Sequence, residues 1–356
     1  MQIEFLFLLP FILSFALSFA LAPFSIVVAK KFGLIDDPSK NSHPKVIHTK
    51  PIPRGGVIGI SLALLLSAIV FLPMDSHLRG IIAGVILLTI LGIVDDKHNL
   101  NPYLRLLIQF VAAGLPIIAG IGIAYITNPF GGVIDLSHPQ VSFYLLGQIR
   151  TIWILSDLFA LIWIVTLMNF TNMGAKGVPG QLSGVVGIAA LTIVVLSSRF
   201  SADITEWPVV ILASITAGAY MGFLPWHIFP QRIMPGFGGS NVAGFMLAIL
   251  TILTTTKVGT LLVVLGVPLV DTVYTVTTRI REGRSPVWGG RDHLHHKLLD
   301  KLHWSQEKIA IFYWTVTAIL GVIAINIRAT YKLYTILGIS LVLGGLFLWF
   351  KTRSKQ

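Results

Sequence analysis

The sequence predicts an all-α integral membrane protein that crosses the bilayer about eleven times. Of the 356 residues, 54% are apolar and only 12% are charged. The mean hydropathy is +0.82, and long apolar stretches recur from one end of the chain to the other. Soluble domains carry roughly 25% charged residues, and a helix needs about 20 apolar residues to cross a bilayer core. The composition therefore excludes an ordinary soluble domain.

Eleven apolar windows are the candidate spans, and together they form a single transmembrane unit, 1–356. We expect the first window to be a span rather than a cleaved signal, because no basic segment precedes it and it is too long for a signal core. The chain shows no internal repeat and no soluble domain. The windows are 5–29, 55–73, 80–94, 106–126, 152–170, 182–198, 207–226, 241–254, 258–276, 310–327 and 333–350.

The distribution of lysine and arginine predicts the orientation of these spans. With the N-terminus outside, 20 of the 26 basic residues fall on the cytoplasmic side and six on the other. Cytoplasmic loops carry such an excess, so we expect a cytoplasmic C-terminus. The long segment 127–151 then faces outside and has the pattern of a small hairpin or re-entrant element.

The net charge of +11 and the absence of cysteine narrow the function. In a membrane protein, basic loops set orientation and meet anionic lipids or substrates, so we expect no nucleic-acid partner. Without cysteine, disulfides and thiolate chemistry are excluded.

Two adjacent carboxylates, Asp95 and Asp96, stand at the end of the third predicted span. Carboxylates at a membrane boundary are costly unless they are paired, hydrated or bound to a cation. They suit a divalent metal, or one general base beside a metal-associated partner. The alternative is a solvated helix end in which Lys97 is the partner.

Two amides and two glycine-rich turns make a second group of candidates. Asn169 and Asn172 are three residues apart and share one helical face, where their oxygens could bind a polar ligand or a hard cation. The glycines that follow, at 174–180, allow close approach to phosphate. The turn 234–241 opens the eighth span, where free N–H groups are typical of anion sites. Each pattern alone also fits an ordinary loop or cap.

Arginines and histidines between 279 and 296 form the strongest pattern. Cationic donors beside imidazoles favour recognition of a diphosphate over capture of a metal; plain surface charge is the alternative. Asp271, inside the ninth span, is a further candidate, because intramembrane carboxylates are functional by default. A Lys or Asn on a neighbouring helix would be its structural partner. The residues of the pattern are Arg279, Arg281, Arg284, Ser285, Arg291, His293, His295 and His296.

In this order and on these loops, the clusters resemble the polyprenyl-phosphate N-acetylhexosamine-1-phosphate transferases, glycosyltransferase family 4. The likeness covers almost the whole chain, from Gly33-Leu34-Ile35-Asp36 and the stretch 45–56 to beyond His296. The final loop, His293-Leu294-His295-His296, is closer to the undecaprenyl-phosphate GlcNAc-1-phosphate transferases than to the muramoyl-pentapeptide branch.

The resemblance implies an enzyme, a phosphotransferase that moves a sugar-1-phosphate from a UDP-N-acetylhexosamine to undecaprenyl or another polyprenyl phosphate. The products would be UMP and a lipid-linked diphosphate sugar that initiates synthesis of a cell-envelope glycan such as lipopolysaccharide, teichoic acid or O-antigen. Family members use Mg²⁺, and Mn²⁺ could replace it. The resemblance further implies a multi-pass protein of the inner (plasma) membrane, with its active site facing the cytoplasm, and is compatible with a homodimer.

The matching residues receive expected roles from the same resemblance. Asp95 would be the base or activate the acceptor phosphate, and Asp96 would lie near the metal; both are candidate catalytic residues. Asn172 would be a metal ligand together with Asp96, and Asn169 a support at the substrate. The remaining expected substrate-binding residues are Lys45 and His48 on the acceptor side, with Arg284, Ser285, Arg291, His293, His295 and His296 at the diphosphate and nucleotide.

Three carboxylates of the family pattern are missing from this chain. Phe237 stands where the family has a metal-binding Asp, Gly290 replaces an acidic residue, and the loop after Asn172 offers Lys176 and Pro179 instead of acids. Asp271 or Asp292 would be the residues to compensate.

Three functions stay open from the sequence. They are an active transferase with a modified metal site, a catalytically impaired relative that binds UDP-sugar or polyprenyl phosphate, and a transporter of lipid-linked substrates. Transporters usually place charges near the bilayer midplane, often with repeats. Here the unusual polar residues gather at one face, which favours the transferase class.

Overall fold

A computed structural model describes residues 3–40, 45–145, 148–199, 207–254, 258–286, 288 and 290–353. This part of the chain is mainly helical, with three short antiparallel pairs of strands. The helices are α1 (Ile3–Lys31), α2 (Gly56–Phe71), α3 (Ser76–His98), α4 (Pro102–Ile118), α5 (Ile154–Met173), α6 (Gln181–Ser198), α7 (Trp207–His227), α8 (Gly236–Leu253), α9 (Val258–Val264), α10 (Gly266–Arg281), α11 (Leu294–Leu302), α12 (Gln306–Asn326) and α13 (Ala329–Arg353). The strands are β1 (Ile35–Asp36), β2 (Ile52–Pro53), β3 (Tyr125–Thr127), β4 (Val133–Asp135), β5 (Gln140–Leu145) and β6 (Gln148–Trp153).

Each of the eleven predicted spans has a helical counterpart in the structure. Within the described residues, eight helices are long and apolar enough to cross a membrane, and a bent pair adds a ninth. The other two, α2 and α4, contain 16 and 17 residues. At 1.5 Å per residue they are about 24 and 26 Å long, shorter than the roughly 30 Å hydrocarbon core. The all-α polytopic class is confirmed; the number of crossings stays a prediction.

The predicted span 258–276 is not one straight helix. It consists of α9 and α10, which meet at Leu265 and differ in direction by 81°. Pro268 lies in the first turn of α10. A proline has no N–H to continue a helix from the preceding turn, but it fits a helix start. The sequence therefore begins a new helix here in a new direction.

The segment between α4 and α5 forms hairpins at the end of the bundle opposite Asp95. The fourth predicted span, 106–126, ends early at Ile118, and the chain turns into β3. Strands β3 and β4 pair antiparallel, and so do β5 and β6. Of the two elements predicted for 127–151, the structure thus shows the hairpin.

Helix α8 is the centre of the fold, because every residue from Gly236 to Ile252 is buried. It meets α3 where Gly92 faces Gly238: a Cβ atom on Gly92 would lie 2.3 Å from the Cα atom of Gly238. Small residues let membrane helices pack with their backbones in contact. This contact brings the end of α3, with Asp95 and Asp96, against the start of α8.

We expect Gly92→Ala to destabilise the protein by about 1–3 kcal/mol, because the added methyl group meets the Gly238 backbone and the two helices must separate. Gly114→Ala, on α4, is the matched control, since its Cβ would find no atom within 4 Å. Alanine in place of a helical glycine normally stabilises by about 0.5–1 kcal/mol. Thermal and denaturant unfolding in detergent measure both changes. Equal behaviour of the two variants would contradict the packing described here.

Candidate functional site

A cleft of about 970 Å³ opens at the end of the bundle where α5, α7 and α10 end and where α4, α8 and α12 begin. Its wall brings together residues from across the chain, including many of those expected to form the site. The expected site residues that line it are Lys45, His48, Asn169, Asn172, His293, His295 and His296, and Phe237, which replaces the family's Asp, lines it as well. Asp95, Asp96, Arg284, Ser285 and Arg291 are not part of the wall.

The wall of the cleft is strongly cationic. Among the described lining residues, Asp36 is the single carboxylate, and it lies 3.8 Å from Arg54. Basic residues that converge on a partly enclosed space create a positive potential that concentrates anions. The cleft is therefore suited to a phosphate or diphosphate. The lysines and arginines that line it are Lys45, Lys50, Arg54, Arg105, Lys176 and Arg279.

Asp95 and Asp96 lie behind this wall and hold two of its arginines. Both are buried at the end of α3. A carboxylate oxygen of Asp95 is 2.6 Å from Nε of Arg105, and one of Asp96 is 3.0 Å from an Nη atom of Arg54. Lys97 is exposed, and in the described residues the carboxylates take these arginines as partners. A buried carboxylate is costly unless it is paired, so the pairs fix both arginines at the cleft.

The glycine-rich turn at the start of α8 binds a carboxylate of the protein itself. The backbone N–H of Phe237 donates to Oδ1 of Asp96 at 3.1 Å. Gly236 has a φ of +71°, and any Cβ at this position would collide with Oδ2 of Asp96. The sequence predicted an anion site here, and the anion that the structure places at Phe237 N–H is Asp96. Oδ2 of Asp96 is buried and has no hydrogen-bond partner among the described residues.

Lys176 reaches the same place from the loop between α5 and α6. Its ammonium donates to the carbonyl oxygen of Gly236 at 2.8 Å. Burial lowers the pKa of Lys176 to about 7, and nearby Asp96 opposes this shift by favouring the charged form. The ammonium thus lies beside Gly236, in the same wall of the cleft as Arg54.

Amide side chains connect α4, α5 and α8 at the cleft. Asn169 donates to the Gln109 oxygen at 2.9 Å, and Gln109 in turn bonds Asn241. The Asn172 oxygen accepts from the Ser240 hydroxyl at 2.8 Å. The two asparagines predicted to share a face therefore do lie at the cleft, where these bonds fix their orientation.

The histidines approach the cleft through α11, a helix that the sequence reading did not predict. His293 lies 3.1 Å from Asp271 through Nδ1, and the N–H of Leu294 donates to the same carboxylate at 2.8 Å. Asp271 is fully buried, and its partner is this helix start rather than a Lys or Asn on a neighbouring span. The contact anchors α11 to α10.

His295 and His296 are neutral at physiological pH. Burial lowers the pKa of His296 to about 4 and that of His295 well below its usual range, and the Arg291 guanidinium adds to both shifts. Their Nδ1 atoms are buried and have no hydrogen-bond partner in the described structure. Neutral imidazoles in this position can donate to or accept from a ligand without adding charge.

Two of the arginines expected at the diphosphate point elsewhere. Arg284 is exposed and bonds Glu282 and Asp292, while Arg291 forms a bidentate pair with Asp300, both distances being 2.7 Å. Arg279 lines the cleft in their place, its Nε 3.0 Å from Asp292. Ser285 is half-buried beside them but outside the wall. Their expected contacts with a substrate stay predictions.

Sequence reasoning left three cleft residues without a role: Arg54, Arg105 and Gln109. Gln109 carried a signal, since a lone polar residue in an apolar helix usually faces the protein interior. Arg105 carried a weaker one, because it follows the Asn101-Pro102 helix start within one turn. Nothing in the sequence places Arg54 against Asp96, because the two residues are 42 positions apart in the chain.

The residues at the cleft do not fit the Mg²⁺ ion that the resemblance implies. Mg²⁺ needs oxygen ligands, usually one or two carboxylates with waters. The described residues contain no group of three acidic or histidine side chains arranged for a metal. The free oxygen of Asp96 sits among cations, and the Phe237 ring lies 5.1 Å from the Arg105 guanidinium. A divalent cation would meet repulsion here with few ligands in return.

Comparison with known proteins places this chain among membrane transferases. The model of glycosyl transferase family 4 matches residues 78–255. This stretch contains Asp95, Asp96, both asparagines and the turn at Gly236, and it ends before Arg279.

Curated relatives share about a quarter of their residues with this chain. The decaprenyl-phosphate N-acetylglucosaminephosphotransferase of Mycolicibacterium smegmatis is 28% identical over 85% of this chain and 77% of its own. The probable undecaprenyl-phosphate N-acetylglucosaminyl 1-phosphate transferase of Bacillus subtilis is 28% identical over 78% and 73%. The phospho-N-acetylmuramoyl-pentapeptide-transferase of Bacillus velezensis is 27% identical over 84% and 90%. Identity alone therefore does not separate the two sugar branches.

The family model covers half of the chain, and just over half of the residues that line the cleft lie within the matched stretch. With its apolar helices, this protein is a multi-pass membrane protein that belongs to glycosyl transferase family 4.

Proposed function

We propose that the protein transfers an N-acetylhexosamine-1-phosphate from a UDP-sugar to a polyprenyl phosphate, with UDP-GlcNAc and undecaprenyl phosphate as the first pair to test. One observation supports this most: the cationic cleft at the end of the helices, in a chain of this family. Both substrates carry their charge on phosphate, and one of them is a lipid. A phosphate-binding cleft at the end of membrane-spanning helices can receive both.

The reaction exchanges one phosphorus–oxygen bond for another. An oxygen of the acceptor phosphate attacks the phosphorus that carries the sugar, the bond from that phosphorus to the bridging oxygen breaks, and UMP leaves. A phosphate monoester already carries about −1.5 to −2 charge at pH 7. The attack therefore needs positioning and neutralisation of oxygen charge more than removal of a proton.

The arginines are placed to supply that neutralisation. Arg54 and Arg105 lie between the buried carboxylates and the cleft, and Arg279 lines it from α10. We assign Asp95 and Asp96 to hold Arg105 and Arg54 in position, a role that this chemistry favours over that of Asp95 as base. Lys45 and His48 would meet the acceptor, and His295 and His296 the nucleotide side.

The membrane arrangement completes the proposal. Residues near the ends of α5, α7 and α10 and the starts of α4, α8 and α12 line one cleft. This is the arrangement expected when successive helices cross the membrane in opposite directions. We place the whole chain as one transmembrane unit in the plasma membrane, with its N-terminus outside and the cleft and C-terminus in the cytoplasm. The excess of Lys and Arg at the cleft end supports this orientation.

We expect purified protein to form lipid-linked product from radiolabelled UDP-GlcNAc and undecaprenyl phosphate, and Asp95→Asn to lower kcat by at least about 100-fold. Arg105→Met should cause a similar loss, and the double variant should be no worse, because both changes remove one unit. Lys97→Met, an exposed neighbour, is the control and should match the wild type.

Independent, multiplicative effects of Asp95→Asn and Arg105→Met would show that Asp95 acts other than by holding Arg105. Binding of UDP-sugars without product, across a panel of donors and acceptors, would indicate the impaired relative instead.

The orientation can be tested with single cysteines, because the native chain has none. We expect Lys97→Cys to react with a membrane-impermeant maleimide only from the cytoplasmic side. Tyr144→Cys, on the exposed hairpin, should react only from outside, because it lies at the opposite end of the bundle. Labelling of both from one side would refute the alternating arrangement, and the reverse pattern would refute the orientation.

A further inference from the structure

We infer that the Lys176 ammonium, with Arg54 and Arg105, binds the donor diphosphate in the place of a divalent metal ion. The inference rests on the proposed function and concerns how the same cleft holds its anionic ligand. It predicts that binding of a UDP-sugar does not require a divalent cation.

The position of Lys176 is the first observation. Its ammonium donates to the Gly236 carbonyl oxygen at 2.8 Å, while a Cβ on Gly236 would collide with Oδ2 of Asp96. Lys176 and the unpartnered carboxylate oxygen thus both lie next to Gly236, a residue of the cleft wall. A metal ion bound by Asp96 would have to share this space with the ammonium.

The second observation is that Phe237 follows Gly236 in the chain. Phe237 puts an aromatic ring where the family pattern has a carboxylate, and the Arg105 guanidinium lies 5.1 Å from the centre of that ring. An arginine over an aromatic face is attracted by the ring. The position therefore stabilises a cation of the protein and offers no ligand to a metal.

A diphosphate can be neutralised by a bound divalent ion or by cationic side chains of the protein, and the charges at the cleft favour the side chains. A divalent ion placed among Arg54, Arg105 and Lys176 would be repelled by three cations, and the Asp95 and Asp96 carboxylates already pair with the two arginines. A diphosphate in the same place would be attracted by all three. Its negative charge would also favour the ammonium form of Lys176, offsetting the effect of burial on that side chain.

The test is binding of UDP-GlcNAc to the purified full-length protein, by isothermal titration, in excess EDTA and in Mg²⁺. We expect the Kd to change by less than about threefold between the buffers. Lys176→Met should weaken binding by roughly 10-fold to 100-fold in both, because a hydrogen bond to a charged group contributes about 1.5–3 kcal/mol. Lys176→Arg should restore most of the affinity, since it returns the cation.

Lys97→Met is the matched control: it removes one exposed lysine at the end of α3, next to Asp96, and should leave the Kd unchanged. The comparison of buffers uses the wild-type protein and so does not depend on the folding of any variant. Affinity that disappears in EDTA and returns with Mg²⁺ would overturn the inference and leave the proposed function intact. Absence of binding in both buffers would overturn both.

Discussion

The paired carboxylates at the end of α3 are the interaction on which the rest of the site depends. Asp95 and Asp96 are buried, and each is compensated by one arginine, Arg105 and Arg54 respectively. Removing one member of a buried ion pair leaves an uncompensated charge and costs about 3–5 kcal/mol. The loop before α2 and the start of α4 are therefore held against the end of α3, and both contribute guanidinium groups to the cleft.

Helix packing makes this arrangement possible. The close contact of Gly92 with Gly238 lets the end of α3 reach the first turn of α8, where the Phe237 N–H bonds Asp96. The result is an arrangement in two layers, with carboxylates inside and cations facing the cleft. In this arrangement the carboxylates orient the arginines, and the arginines contact the ligand.

Much of the fold followed from the sequence, because each apolar window is long enough to define a helix without reference to its neighbours. The bend between α9 and α10 was not predicted, since an apolar stretch has the same composition whether it forms one straight helix or two helices at an angle. Lys97 was considered as a partner of the carboxylates because it is adjacent in sequence. Adjacent residues on a helix point in different directions, and the real partners come from other segments.

The sequence predicted only part of the site, because it shows local patterns and does not show contacts between distant segments. Residue types that are rare in apolar surroundings, such as Asp95, Asn169 and the histidines, were identified from local pattern alone. Arg54 and Arg105 were counted only as loop charges, because their role arises from contacts between segments distant in sequence. Arg279, Arg284 and Arg291 belong to one basic stretch and all pair with acidic side chains, yet only Arg279 among them lines the cleft.

The shortness of α2 and α4 has a consequence for the lipid. Both helices begin near the cleft and expose apolar side chains on their outer faces, such as Ile69 and Leu107. A bilayer adapts to a short hydrophobic segment by becoming thinner around it. If both helices cross the bilayer, as the sequence predicts, their lengths of about 24–26 Å would draw the headgroup plane beside the cleft inward, and the phosphate of a lipid acceptor would travel a shorter distance to reach the cationic wall.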